Sequence, residues 1–95
     1  MSAYVIADVE VTDPAVYDEY RKLTGPSVAK FQGRFIVRGG AVERKEGDHD
    51  WHRVVVIEFP SLALARDWYA SPDYQAAARI RQRAARTQLI VVEGA

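Results

Sequence analysis

The chain has 95 residues, of which 48% are hydrophobic, and 13 acidic residues balance 13 basic ones. This length allows a single domain over residues 1–95, and a net charge of zero argues against binding nucleic acid or a membrane surface through an excess of basic residues. The absence of cysteine excludes disulfides, thiolate catalysis and cysteine-bound metal centres. No apolar run approaches the ~20 residues of a membrane helix, and no signal peptide is visible, so we expect a cytoplasmic protein.

The first third of the chain predicts a strand followed by a helix. Tyr4–Val11 is rich in β-branched and aromatic residues, which favour strands. Asp13-Pro14 then supplies an N-cap side chain and a proline suited to the first helical position. The apolar residues of this helix recur along one stripe: Val16, Tyr20 and Leu23. Gly25-Pro26 should interrupt or kink the helix, leaving a further turn or two over residues 27–32.

The middle of the chain predicts two strands around a polar turn. Charged and apolar residues alternate in Arg34–Arg38, as in a strand with one exposed face. Gly39-Gly40 should introduce a bulge or bend, after which Ala41–Lys45 continues the strand. Gly47–Asp50 is a polar turn, and Arg53–Phe59 is the strongest strand signal in the chain.

The last third predicts two helical segments and a final strand, Thr87–Glu93. Ser61 is placed to cap the first segment, and Ser71-Pro72 starts a second segment that runs to about Ala85. The apolar stripes are Leu64, Ala65 and Trp68 in the first segment and Ala77, Ile80 and Ala84 in the second. The order βαββαβ is that of the α+β ferredoxin-like fold, with the helices on one face of a four-stranded antiparallel sheet.

The sheet face away from the helices should be polar if the protein is a monomer. Instead, Val54–Ile57 and Leu89–Val92 are continuous apolar runs, and Tyr4–Ala7 is nearly one, which is typical of strands buried on both faces. A second copy is the simplest cover, since symmetric dimers dominate among oligomers. We therefore expect a homodimer formed through the open sheet face; a different protein as the cover is the alternative.

Acidic residues interrupt these apolar strands: Asp8, Glu10, Glu58 and Glu93. One interpretation is that they lie near strand ends or pair with Arg34, Arg38 or Arg53. The other is that one of them lines a cavity. Period-two counting places Asp8 and Glu10 on one face with Tyr4 and Ile6. The sequence leaves open which face carries Asp8 and Glu58, because a bulge at Gly39-Gly40 would reverse the alternation beyond it.

Several segments together resemble one known family: YVIADVEVTDPAVYDEY, GRFIVRGG, RVVVIEFPS and the W-Y-x-S-x-x-Y pattern of Trp68, Tyr69, Ser71 and Tyr74. This is the uncharacterised family named domain of unknown function thirteen-thirty, within the dimeric α/β-barrel superfamily, and the resemblance runs from about Tyr4 to Glu93. It implies a ferredoxin-like protomer and a dimer whose two sheets pack into a barrel. The superfamily includes cofactor-independent monooxygenases, haem-degrading enzymes, lactone isomerases and plain ligand-binding members. Membership therefore predicts the fold more strongly than it predicts the function. The chain has no asparagine, so the Asn-Trp-His set of some of these enzymes cannot be assembled.

The candidate ligand site combines a cation with aromatic residues. Arg38, beside Gly39-Gly40, could present its guanidinium to a carboxylate or phenolate; alternatively it pairs with a strand carboxylate beside a bulge. Tyr17, Tyr20 and Trp68 could line a cleft between helices and sheet that holds a flat organic ligand. Alternatively, these three aromatic residues are simply part of the core.

The two histidines lie in the polar turn before the strongest strand. His49 and His52 form an H-x-x-H pattern, which needs a helix or a defined turn to converge on a metal ion, so we expect a solvated loop and no metal site. His52 or a strand carboxylate such as Asp8 could instead act as a proton carrier at the mouth of a cleft. The basic residues of the last helical segment that share one face should be solvated or pair with acids: Arg79, Arg83 and Arg86.

Two functional hypotheses therefore remain. In the first, the protein binds a small organic or anionic ligand at Arg38, Tyr17, Tyr20, Trp68, His52 and Asp8, and transforms it, if at all, without a bound redox cofactor. In the second, it is a non-catalytic dimeric module that contributes through assembly. The sequence does not decide whether the protein is an enzyme.

Overall fold

The computed structural model describes residues 1–95. Its elements are, in chain order, β1 (Ala3–Val11), α1 (Pro14–Lys30), β2 (Arg34–Arg38), β3 (Arg53–Phe59), α2 (Leu62–Ala70), α3 (Pro72–Ala84) and β4 (Ala85–Glu93). The strands form one antiparallel sheet in the order β2-β3-β1-β4. This is the ferredoxin-like βαββαβ arrangement, as predicted. None of the helices has the length and hydropathy that crossing a membrane requires.

The core lies between the helices and one face of the sheet. Along β1, every second side chain from Ala3 to Val9 is almost completely buried against the helices, as the period of two in a strand requires. The largest completely buried side chains are Trp68 of α2, Tyr74 of α3 and Phe59 of β3. Trp68 lies between the other two rings, with centroids 5.5 Å from Phe59 and 4.0 Å from Tyr74.

Side-chain caps fix the helix starts that the sequence predicted. Asp13 accepts a hydrogen bond from the backbone N–H of Val16, and Ser61 accepts one from that of Leu64. Ser71 caps α3 by accepting from the Tyr74 N–H, and its own hydroxyl donates to the carbonyl of Trp68 at the end of α2. Ser71 therefore joins the two helical segments, as the serine–proline pair predicted.

The structure corrects the prediction for α1 in two respects. The helix is not interrupted at Gly25-Pro26 but continues to Lys30. The carbonyl that Pro26 leaves without a donor belongs to Lys22, and both residues lie on the exposed side of the helix. Leu23, expected in the apolar stripe, is 47% exposed. The buried face consists instead of Tyr17, Tyr20, Thr24, Ser27 and Val28. Four of these side chains carry hydroxyl groups, so hydropathy alone does not reveal this face.

The connection between β2 and β3 also differs from the prediction. The bulge lies between Phe35 and Val37 and not at Gly39-Gly40, and β2 ends at Arg38. The expected continuation of the strand over Ala41–Lys45 is wrong, because this segment pairs with no other strand and its residues are exposed. Arg86, expected on the last helix, lies in β4.

The sheet face away from the helices, called the open face below, carries an apolar row across all four strands. The strand register aligns this row as Val37, Val56, Ile6 and Ile90. Ile90 is 58% exposed, and neighbouring Val92 is 41% exposed. Polar rows flank it, with Arg34, Glu58 and Tyr4 on one side and Asp8 and Gln88 on the other. Asp8 and Glu58 both lie on this open face.

Candidate functional site

A cleft opens between the helices and the sheet, and the strand register arranges its floor in three rows. The first row is apolar and consists of Phe35, Ile57 and Val5. The second row consists of Arg38, Val55, Ala7 and Leu89, and the third consists of Arg53, Val9 and Thr87. The floor therefore changes from apolar to polar along the strands, over four residues or about 13 Å.

The roof of the cleft comes from all three helices. Tyr17, Tyr20 and Thr24 come from α1, Trp68 from α2 and Arg81 from α3. The volume of the cavity is about 30 Å³. The cleft is therefore thin, with room for one or two water molecules between its walls. A flat molecule suits this shape better than a bulky one.

Four arginines line the cleft, and none of its lining residues is acidic. Arg21 is exposed and lies 3.8 Å from the exposed Asp18. Arg38 stacks on the Phe35 ring at 4.1 Å and, contrary to one interpretation of the sequence, has no carboxylate partner. Arg53 and Arg81 also form no ion pair. Because the chain as a whole is neutral, this is a local excess of positive charge in a largely apolar enclosure.

Three buried side-chain atoms have no hydrogen-bond partner, and all three belong to residues that line this cleft. They are Nε of Arg53, Nε of Arg81 and the hydroxyl oxygen of Thr87. Buried polar atoms are nearly always hydrogen-bonded, since leaving one unsatisfied costs about 1–3 kcal/mol. The cleft therefore holds three polar atoms that a water molecule or a ligand could satisfy.

Two tyrosines and an arginine form a hydrogen-bonded chain in the roof. Arg81 Nη1 donates to the Tyr74 hydroxyl at 3.2 Å, and the Tyr74 and Tyr20 hydroxyls are 3.1 Å apart. Burial raises the pKa of Tyr74 well above its usual value, and Tyr20 adds to the rise although Arg81 opposes it. Burial likewise raises the pKa of Tyr17. The hydroxyls of Tyr74 and Tyr17 therefore remain protonated at neutral pH and are available as hydrogen-bond donors.

The absence of a side chain on Gly39 leaves space for the Arg53 guanidinium beside the cleft. A Cβ atom on Gly39 would lie 2.7 Å from Cζ of Arg53, and Gly39 has a φ of +72°. Both observations favour glycine at this position, since other residues adopt positive φ at a cost and would displace the guanidinium. The Gly39 N–H donates to the Val54 carbonyl at 2.9 Å, which holds the end of β2 against β3.

Asp8 and His52, two of the predicted site residues, lie on the open face and not in the cleft. The Asp8 carboxylate accepts a hydrogen bond from the His52 backbone N–H at 2.9 Å. It is also hydrogen-bonded to His49 Nε2 at 2.8 Å. Burial raises the pKa of Asp8, but these hydrogen bonds and the charges of the two imidazoles lower it more, so its pKa is below the usual value. The Asp8 contacts hold the end of the β2–β3 connection on the sheet. The His52 ring also lies 3.8 Å from Glu10.

Of the other acidic residues of the strands, Glu58 pairs with an arginine that the sequence suggested, and Glu10 lies near one that it did not. Glu58 pairs with Arg34 at 2.7 Å on the open face, and the hydrogen bond from Arg34 lowers the pKa of Glu58 despite the opposing effect of desolvation. Glu10 lies 3.9 Å from Arg86. No group of three or more histidine, cysteine, aspartate or glutamate side chains is arranged to hold a metal ion.

The structure thus brings four predicted residues together in the cleft: Arg38, Tyr17, Tyr20 and Trp68. Trp68 contributes as a wall, since its indole N–H already donates to Ser27. Sequence reasoning missed Arg53, Arg81 and Thr87. A signal for Arg81 was present, because it lies four residues after Ala77 and three before Ala84, within the inward stripe of α3.

Comparisons with known proteins support the fold and name a family. A protein of unknown function from Rhodopseudomonas palustris is 21% identical with a TM-score of 0.80, over 99% of this chain and 82% of that one. A dimeric ferredoxin-like protein of unknown function from Jannaschia sp. is 15% identical with a TM-score of 0.72, over 99% and 100% of the two chains. SnoaB, a cofactor-independent oxygenase from Streptomyces nogalater, is 15% identical with a TM-score of 0.67, over 99% and 93%.

At these identities, the three structures show the fold alone. No curated protein matches the sequence. The profile of the family described as Domain of unknown function (DUF1330) matches residues 2–95, in agreement with the resemblance seen in the sequence. The chain therefore belongs to the DUF1330 family.

Proposed function

We propose that this protein binds a small organic ligand in the cleft between its helices and its sheet, as one protomer of a homodimer. The three buried polar atoms without partners, all on cleft residues, carry this proposal. A protein whose only contribution is assembly has no reason to leave such groups unsatisfied beside an opening. Aromatic walls with a few polar groups are the usual composition of a small-molecule site.

The dimer is proposed to form through the open face. The apolar row across the four strands ends at Ile90, which is 58% exposed, and a patch of this kind usually marks an interface. Several solved neighbours are described as dimeric, among them ferredoxin-like proteins from Jannaschia sp. and Thermobifida fusca. A sheet-on-sheet dimer would cover the apolar rows and leave the cleft, on the other face, accessible.

Chemistry in the cleft would require no bound redox cofactor. The neighbour SnoaB is described as a cofactor-independent oxygenase, which supports this possibility for the fold without assigning the reaction. His52 and Asp8, the proton carriers considered from the sequence, lie on the other face of the sheet, and the cleft is lined instead by Tyr17 and Tyr20. We therefore propose that the cleft binds a ligand, and we assign no reaction to it.

Native mass spectrometry of the purified protein tests both parts. We expect a dimer mass with a bound small molecule, and we expect Arg38→Ala to lose the small molecule while remaining a folded dimer. Arg34→Ala, an exposed arginine of the same strand but on the open face, is the control and should retain it. A dimer that carries no small molecule in any preparation would instead favour the non-catalytic module.

Substitutions on the two faces test the interface separately. Ile90→Lys should produce monomers at micromolar concentration, because it places a charge on the most exposed residue of the apolar row. Leu23→Lys changes a comparably exposed apolar residue of α1 and should leave the dimer intact. A dimeric Ile90→Lys variant would show that the open face is not the interface.

A further inference from the structure

We infer that the ligand is an amphipathic carboxylate with a flat apolar body, and that its carboxylate group lies between Arg53 and Arg81. The inference rests on the proposed function and adds to it the class of ligand and its direction in the cleft. It assigns the charge-binding role to two residues that the sequence did not indicate.

Arg53 and Arg81 approach the same pair of aromatic rings from different elements. The Arg53 guanidinium lies 5.9 Å from the Tyr17 ring centroid, and that of Arg81 lies 6.0 Å from the Tyr20 ring centroid. The two rings are 5.4 Å apart. The two cations therefore lie on a shared pair of aromatic rings, Arg53 beside Tyr17 and Arg81 beside Tyr20.

Neither of these two guanidinium groups has an anionic partner. Arg81 is only 7% exposed, and its one hydrogen bond goes to a neutral hydroxyl on Tyr74. The Nε atoms of both Arg53 and Arg81 have no partner. A carboxylate matches the planar fork of a guanidinium and would satisfy these donors, and the Thr87 hydroxyl, also unpartnered, could donate to the same group.

Of the two cations, only Arg81 is held by a hydrogen bond before a ligand arrives. Gly39 leaves the space that the Arg53 guanidinium occupies, and the Tyr74 hydroxyl fixes Arg81. Groups held in this way lose little conformational freedom on binding, which raises the affinity. The site is therefore built for an anion and is not merely a set of long flexible side chains at a surface.

The floor of the cleft gives the direction of the ligand. Its polar row, with Arg53 and Thr87, lies at one end, and its apolar row, with Val5 and Ile57, lies about 13 Å away. Trp68 adds an aromatic wall. A small inorganic anion would contact only the polar end, whereas a flat aromatic acid would contact both ends after the walls of this thin cleft have moved apart to admit it.

Isothermal titration calorimetry on the full-length protein tests the inference with three probes: 2-naphthoate, 2-naphthamide and inorganic phosphate. The acid and the amide have the same shape and differ in charge. We expect 2-naphthoate to bind, and the amide and phosphate to bind at least about tenfold more weakly, because a hydrogen bond to a charged group is stronger than one to a neutral group. Arg53→Gln and Arg81→Met should each weaken 2-naphthoate binding about tenfold or more.

Arg83→Met is the control, since Arg83 is an exposed arginine on the same helix, and it should bind 2-naphthoate as the unchanged protein does. Equal binding of acid and amide would overturn the anionic assignment and leave the proposed function standing. Binding of phosphate as strong as that of 2-naphthoate would overturn the amphipathic class. If neither naphthalene compound binds and native mass spectrometry shows no ligand, the inference and the proposed function both fail.

Discussion

Replacing Arg81 by methionine should make the unliganded protein more stable, the opposite of the usual effect of changing a buried residue. Arg81 is 7% exposed, has no carboxylate partner and has an unsatisfied Nε atom. A charge buried without a counterion destabilises a fold, and apolar residues of similar volume have replaced buried charges elsewhere with a gain in stability. Methionine keeps the length of the side chain and carries no charge.

The expected gain follows from two opposing contributions. Removing an unsatisfied buried donor contributes about 1–3 kcal/mol to the free energy of unfolding. Losing the hydrogen bond from Arg81 to Tyr74 removes about 0.5–1.5 kcal/mol, although the Tyr74 hydroxyl keeps its bond to Tyr20. The net expectation is an increase of about 1 kcal/mol, which in a domain of this size corresponds to a rise in Tm of about 4–8 °C.

Urea unfolding followed by circular dichroism measures this difference. All variants are compared at one protein concentration, because dimer formation makes apparent stability depend on concentration. Arg83→Met, which changes an exposed arginine of the same helix, should stay within about 0.5 kcal/mol of the unchanged protein. A loss of 1 kcal/mol or more in Arg81→Met would refute the reasoning and show that Arg81 stabilises the fold.

Two further changes test features on either side of the sheet. Gly39→Ala should lower the free energy of unfolding by about 1–2 kcal/mol, because alanine is strained at positive φ and its Cβ would meet Arg53. The control Gly40→Ala has open space around it and should cost less than about 0.5 kcal/mol. Equal costs for the two variants would contradict this account. Burial raises the pKa of Asp8 but its hydrogen bonds lower it more, so the stability that Asp8 contributes is present above its unfolded pKa of about 3.9 and is lost as the pH falls further. Urea titrations between pH 5 and pH 2 should therefore show that the free energy of unfolding falls less steeply with pH in Asp8→Asn than in the unchanged protein. The control Asp67→Asn changes an exposed carboxylate without an ion pair and should keep the dependence of the unchanged protein. The same dependence in all three proteins would show that Asp8 contributes nothing.

Much of the fold could be predicted because local signals and tertiary packing agree. The strand Arg53–Phe59 has the predicted bounds, and Ser61 and Ser71 cap their helices as expected. Prediction failed where packing overrides a local signal. Pro26 stands inside a continuous helix, because the buried residues on both sides of it hold α1 against the rest of the protein.

The candidate site was predictable only in part, for a reason that its chemistry explains. Tyr17, Tyr20 and Trp68 could be placed together because aromatic residues on inward helix faces have few other locations. Arg53 and Arg81 were missed because charged residues are expected at the surface. Their burial depends on contacts between elements far apart in sequence, and residue periodicity on one element does not report such contacts.

The central strand β1 faces a different neighbour on each side, which limits how this sequence can change. Its odd-numbered residues from Val5 to Val9 form the cleft floor, while Ile6 and Asp8 belong to the open face. Deleting or inserting one residue here would exchange the two sets, so that a carboxylate would enter the cleft beside the arginines. Residues 40–48 of the exposed β2–β3 connection pair with no strand, and loops tolerate added length at little entropic cost. Changes in chain length during evolution should therefore be accommodated in that connection and not in β1.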